Sequence, residues 1–252
     1  MRKVSIKRSQ CSEDSRRVGL ARALSKLGYC SRSQAAELIR AGRVRLNGAA
    51  KRDPETPVRL GSDRIEVDQQ RVGGEKKIYM MLNKPRGLVT TASDEKGRET
   101  VYSCLPANLP WIAPVGRLDK ASEGLLLLTN DSEWAARIAD PESHLPKTYH
   151  VQVGSIADAT LTEKLTKGVR VPEIELLRAK RAVILRPGER NSWLSIVLDE
   201  GKNRQIRRMF EALGIEVLRL IRVAIGPLEL GDLPKGAHRE LTAAEKSALD
   251  VP

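Results

Sequence analysis

Residues 124–129, Gly-Leu-Leu-Leu-Leu-Thr, are the most apolar segment of the chain, and a polar turn runs directly into them at 115–123 (Val-Gly-Arg-Leu-Asp-Lys-Ala-Ser-Glu). Four consecutive leucines read as a buried strand, too apolar to face water. The turn before it is therefore pinned to a rigid support, and Arg117 and Asp119 are carried on that support. Gly116 lets the backbone bend sharply. An Asp at the mouth of a strand is ordinarily a turn or cap residue. The sharper reading is a catalytic carboxylate with Arg117 beside it.

Further strand candidates lie at 78–91 (two apolar runs around Lys-Pro-Arg-Gly), 111–115, 148–153, 181–186, 193–199 and 217–223, and helical patterns at 132–139, 158–167 and 203–213. No βαβ unit repeats, which favours an α+β class with a mixed, mostly antiparallel sheet and flanking helices. Only 3% of residues are aromatic, so the core must be aliphatic.

A smaller unit precedes this part. Leu20, Ala23, Leu24 and Leu27 share a helix face that Gly28 can end; Ser31 or Ser33 can cap a second helix carrying Ala35, Leu38 and Ile39, with Gly42 closing it. Val44 and Leu46 then alternate with Arg43 and Arg45 ahead of Asn47-Gly48, a hairpin signal. The chain divides into a disordered basic arm at 1–17, a first domain at 18–68, a Gly-containing polar linker at 69–77 and a second domain at 78–252.

The net charge of +12 attracts polyanions, either nucleic acid or an anionic membrane surface. No run of about 18 apolar residues and no apolar leader core is present. Three scattered cysteines (Cys11, Cys30, Cys104) and three scattered histidines argue for a reducing, cytoplasmic setting and against a disulfide framework or a metal site. Arg32, Arg40, Arg43, Arg45, Lys51 and Arg52 crowd into one short stretch of the first unit. Each alone is a solvated cation; together they fit a phosphate-contacting surface.

Two further segments bear on chemistry. In 200–214, Ile206, Met209, Phe210 and Leu213 make one helical stripe, with Arg207 on its shoulder and Arg204 and Arg208 pointing away. Arg207 either snorkels or meets a carboxylate; Arg204 and Arg208 are either solvated or bound to phosphate. In 147–153, Tyr149 shares a strand face with Val151 and Val153 and is either a core residue or a platform on which a base stacks.

The segment Leu-Ser-Lys-Leu-Gly-Tyr-Cys-Ser-Arg-Ser-Gln-Ala-Ala-Glu-Leu-Ile-Arg-Ala-Gly-Arg-Val-Arg-Leu-Asn-Gly resembles the αL RNA-binding motif, the small domain named after a protein of the small ribosomal subunit. Gly-Arg-Leu-Asp at 116–119 with its leucine strand, Lys-Thr-Tyr at 147–149, Glu-Gly-Lys-Asn-Arg-Gln-Ile-Arg-Arg-Met at 200–209 and Leu-Arg-Leu-Ile-Arg at 218–222 resemble the pseudouridine synthases, in particular their bacterial ribosomal RNA branch, the RsuA family. That resemblance implies an isomerase that breaks N1–C1′ of a uridine within RNA, turns the base and rejoins it through C5. It places the essential aspartate on Asp119, the stacking tyrosine on Tyr149 and the aspartate's basic partner on Arg207. Arg117 is assigned to displacing the target base, and Lys84, Arg204 and Arg208, with Arg32, Arg40, Arg43 and Arg45, to RNA. It further implies no cofactor and no metal, since substrate and product are isomers; a monomer acting on ribosomal RNA or a ribosome-assembly intermediate; and, from Asn-Arg-Gln-Ile-Arg-Arg-Met, large-subunit rather than small-subunit RNA. The competing readings are a non-catalytic RNA-binding assembly factor and a glycosidase-like hydrolase. The hydrolase needs two carboxyl groups flanking the bond.

Overall fold

The computed structural model describes residues 17–73, 76–92, 94–171 and 174–250. The expected basic arm, with Cys11, lies outside the described residues except for Arg17. The chain forms two compact units, Met1–Lys76 and Lys77–Pro252.

The first unit runs β1 (Arg17–Gly19), α1 (Leu20–Lys26), α2 (Arg32–Arg40), β2 (Val44–Leu46), β3 (Ala49–Lys51), β4 (Pro57–Arg59), β5 (Ile65–Val67) and β6 (Gln70–Val72). Ser31 caps α2 through a capping box with Gln34, satisfying donors that the first turn would leave open. Asn47 and Gly48 adopt positive φ and close the β2–β3 hairpin, as their residue types require. The sheet order is β3-β2-β5-β6, and β1 pairs with β4 apart from it. Leu20, Leu24, Ile39, Val44, Ile65 and Val67 fill the core between helices and sheet. Residues 70–72 are strand β6 rather than linker: Asp68 and Gln69 turn with φ of 49° and 68°, and Val72 packs into the core. Gln70 and Arg71 face out, so polar composition hid a hairpin.

The second unit runs β7 (Tyr79–Lys84), β8 (Ala113–Val115), β9 (Glu123–Thr129), α3 (Ser132–Ala139), β10 (Lys147–Val153), α4 (Ala159–Lys167), β11 (Val169–Val171), β12 (Ile174–Leu177), β13 (Arg181–Pro187), β14 (Ser192–Leu198), α5 (Gln205–Ala212), β15 (Val217–Ile225), β16 (Leu228–Glu229), β17 (His238–Glu240) and α6 (Ala243–Ala248). Nine strands form one sheet ordered β13-β14-β10-β15-β9-β7-β17, with β8 beside β9 and β16 beside β15. β9 meets β15 in parallel, and the other ladders of this sheet are antiparallel. This is the expected α+β class with a mixed sheet.

Every residue of β9 is buried. Leu125 and Leu127 face a core containing Met81, Trp134 and Ile138, while Leu126 and Leu128 face another containing Met80, Leu82 and Ile112. Alternate side chains of a strand point to opposite faces, so a strand covered on both sides reads as an unbroken apolar run. Each leucine contributes ~1.5–3 kcal/mol on burial, which makes β9 a stiff base for the turn ahead of it. A third core joins β10 and β14 to α4 and α5 through Val151, Leu194, Ile196, Leu165, Met209 and Phe210.

Candidate active site

The turn at 116–122 is held from three directions. Gly116 bends it with a φ of 69°. The Ser122 N–H donates to the Asp119 carbonyl (2.9 Å), closing a tight turn, and the Thr90 hydroxyl donates to the Leu118 carbonyl (2.7 Å). Lys84, at the end of β7, is fully buried, and its ammonium donates to the carbonyls of Pro85 (3.1 Å), Asp119 (3.2 Å) and Ser122 (2.9 Å). Lys84 is therefore not an RNA contact: its cation faces backbone oxygens inside the protein. Burial pushes its pKa down to about 8, with the charges of Asp119 and Glu123 pulling the other way. Behind the turn, Gly124 has a φ of 102°, and a Cβ there would lie 2.2 Å from the Arg222 carbonyl oxygen, so only glycine lets β9 approach β15 at this junction.

A cleft of about 330 Å³ is lined, among others, by Asp119, Arg117, Tyr149, Lys147, Arg204 and Arg222. Tyr149 is half-buried; it packs against the core and also lines the cleft. A register shift between Thr148 and Tyr149 in the β10–β15 ladder sets Tyr149 opposite Arg222. Bulges of this kind re-aim side chains and recur beside active sites.

The aspartate's cationic neighbour differs from expectation. Arg207 makes no ion pair with Asp119; its Nη2 donates to the Ala121 carbonyl (3.0 Å) and its Nη1 to the Val217 carbonyl (3.4 Å). Arg207 thus braces the turn's backbone from α5. Its pKa is lowered, first by burial and then by nearby Arg204, against the favourable charge of Asp119. The guanidinium closest to the carboxylate is that of Arg204, Nη1 to Oδ2 at 4.0 Å. Arg204 was expected to point away because the helical period was extended through it. The helix begins at Gln205, and Arg204 is its N-cap with a φ of 48°, so the period does not aim its side chain. Arg208 donates through Nη1 to the Asn203 carbonyl (3.5 Å) and does not line the cleft.

Glu123, four residues after Asp119, is buried and unavailable as a second acid. Arg219 grips it with two hydrogen bonds of 3.1 Å, and Lys235 pairs with it at 2.5 Å. Burial would raise its pKa, but these two cations outweigh that and hold it below the usual carboxylate value. Nothing in the spacing around Glu123 announced partners about a hundred residues away.

In the first unit, Arg32, Arg40 and Arg45 are exposed. Arg43 is committed to Asp68, with Nε to Oδ1 at 2.9 Å and a second contact from Nη2 to Oδ2, which weakens its case as a phosphate contact. Arg52 donates to the Arg40 carbonyl at 2.9 Å.

Comparison with known proteins shows the family. Residues 78–212 match the family model described as RNA pseudouridylate synthase, and residues 18–72 match the S4 domain. The chain is 40% identical to the ribosomal large subunit pseudouridine synthase B of Bacillus subtilis, over 91% of this chain and 94% of that protein. It is 36% identical to an uncharacterized RNA pseudouridine synthase of Aquifex aeolicus, over 92% and 93%. Among solved structures it is similar to a pseudouridylate synthase, with a TM-score of 0.65 and 31% identity, covering 92% of this chain and 99% of that one. The chain therefore belongs to the RNA pseudouridine synthase family and pairs that catalytic fold with an S4 RNA-binding domain.

Proposed function

We propose that this enzyme isomerises a specific uridine of large-subunit ribosomal RNA to pseudouridine, with Asp119 as the essential carboxylate. The single observation that carries the reading is Asp119 on a turn tied down by Lys84, Thr90 and Arg207, in one cleft with Tyr149 and Arg204. Breaking N1–C1′ leaves the sugar electron-poor and the base electron-rich. An ionised Asp119 can attack C1′ or remove a sugar proton; attack at C6 of the base is a third route, and all require the carboxylate. Tyr149 offers a ring for the flipped base, whose unstacking costs a few kcal/mol. Arg117, exposed at the rim, is suited to fill the space the base leaves.

Arg32, Arg40 and Arg45 supply phosphate contacts from the S4 domain, and Arg204 and Arg208 from the catalytic one. The protein works as a cytoplasmic monomer on RNA or an assembly intermediate, without a metal or cofactor. The large-subunit assignment is supported by the Bacillus relative's substrate. The sequestered Glu123 weighs against a hydrolase with two flanking carboxyl groups. Pseudouridines should be mapped by chemical labelling in ribosomal RNA from cells with and without this gene. Loss of one site in the large-subunit RNA is expected. Loss only in small-subunit RNA would move the substrate, and an unchanged map would favour a binding factor.

A further inference from the structure

Arg222 is 6% exposed, lies in the strand β15 that floors the cleft, and has no acidic partner. Its Nε donates to the Leu125 carbonyl at 2.7 Å, which fixes the guanidinium, while its Nη2 is buried with no hydrogen-bond partner. Lys147 lines the same cleft, two residues before Tyr149 on β10 and opposite Ile225 in the β10–β15 ladder. Its pKa is lowered by burial first and by Arg222 second, with Asp199 acting weakly the other way. Among the described residues no carboxylate ion-pairs with either cation. Two desolvated cations without a counter-ion are costly, and such an arrangement is tolerated where a ligand brings negative charge.

The cleft's own chemistry decides which negative charge. Arg222 sits directly opposite Tyr149 across the β10–β15 ladder, so an edge of a base lying on the Tyr149 ring falls over Arg222. A phosphodiester is bulky and needs an open surface, which the exposed Arg117 and Arg204 offer at the rim; Arg222 is too deep for it. We propose that Arg222, seconded by Lys147, binds the detached uracil anion through its carbonyl oxygens. When N1–C1′ breaks, its electron pair stays on the base and spreads from N1 over O2 and O4. Arg222 donates hydrogen bonds to that anion without transferring a proton, and Asp119 takes up the electron deficiency at the sugar. C5 then bonds to C1′ and frees the Asp119 carboxylate; the C5 proton leaves to solvent and N1 takes one up from solvent, so the product is a neutral isomer. This assignment rests on the isomerase reading above.

The test compares Arg222→Met and Lys147→Met with the parent protein in single-turnover reactions. The substrates are one ribosomal RNA fragment carrying either uridine or 5-fluorouridine at the target. Fluorine stabilises the free base anion by itself, so a lost donor matters less. Arg222→Met should slow glycosidic cleavage of the uridine RNA by about 100-fold, the scale of one lost oxyanion donor, and of the fluorinated RNA by far less, with RNA affinity unchanged. An equal loss on both RNAs, no loss, or a loss confined to RNA affinity overturns the proposal. Should Arg222→Met not fold, as judged by its thermal transition, Lys147→Met decides: it leaves the Leu125 contact intact and must show the same substrate-dependent loss. If the parent protein converts no uridine at all, the isomerase reading fails instead, and that outcome is seen before any variant is compared.

Discussion

Replacing Lys84 by Met separates the scaffold's contribution from the chemistry. The substitution keeps the stem's volume but removes all donors to the carbonyls of Pro85, Asp119 and Ser122. Only the Ser122 bond is wholly buried, and one orphaned buried carbonyl costs ~1–3 kcal/mol. The other carbonyls can take up water, and removing a buried cation recovers part of the cost. The net loss of about 1–3 kcal/mol is small against the ~5–15 kcal/mol of a typical domain, so the fold should survive. The turn, however, loses one of the two donors that hold the Asp119 carbonyl, and a shift of about 1 Å costs on the order of 100-fold in rate. The assay is tritium release from RNA labelled at C5 of uridine, with a parallel thermal melt. A variant that melts a few degrees lower but turns over within a factor of about three of the parent would refute the positioning argument.

Four other outcomes follow from the same contacts. With a pKa of about 8, Lys84 loses a proton, and hence a donor, above that pH, so activity should decline there. Stability should not decline on its account. The unfolded lysine still holds its proton up to about 10.5, so this group adds stability as pH rises from 8 to 10.5, which a pH series of thermal melts would show. Gly124→Ala drives a Cβ into the Arg222 carbonyl at a positive φ and should destabilise the catalytic unit by about 3 kcal/mol or more, read in denaturant unfolding. Glu123, with its depressed folded pKa, contributes stability above about 4.5 that is lost as pH falls through the folded value; the parent's advantage over Glu123→Gln should therefore shrink below pH 4.5. Tyr149→Phe should bind RNA like the parent, whereas Tyr149→Ala should lose ~1–3 kcal/mol of affinity in filter binding.

What the sequence could reveal followed from how local each signal is. The leucine run of β9, the Ser31 cap and the Asn47-Gly48 turn depend on neighbours in the chain, and all were legible. The cleft's motifs were also legible, and the structure brings Asp119, Arg117, Tyr149 and Arg204 to one opening. Lys84, assigned to RNA by the resemblance, is buried instead, and only the fold shows three carbonyls converging on it. Helical period misled at Arg204, since a cap residue in the left-handed region breaks the rotation that the period assumes. Arg222 and Glu123 were out of reach for another reason: their partners arrive from strands far apart in the chain. The clue for Arg222 was an arginine inside the apolar strand Leu-Arg-Leu-Ile-Arg, which calls for a buried acceptor or ligand.

The central claim is that one ionised carboxylate on a braced turn performs the isomerisation, and Asp119→Asn tests it most directly. The substitution keeps the side chain's size and leaves the backbone bonds from Lys84 and Thr90 in place. Pseudouridine formed on ribosomal RNA by the purified variant, read by chemical labelling, should be undetectable while RNA affinity matches the parent. An Asn variant that still converts its target uridine at a rate comparable with the parent would contradict the account.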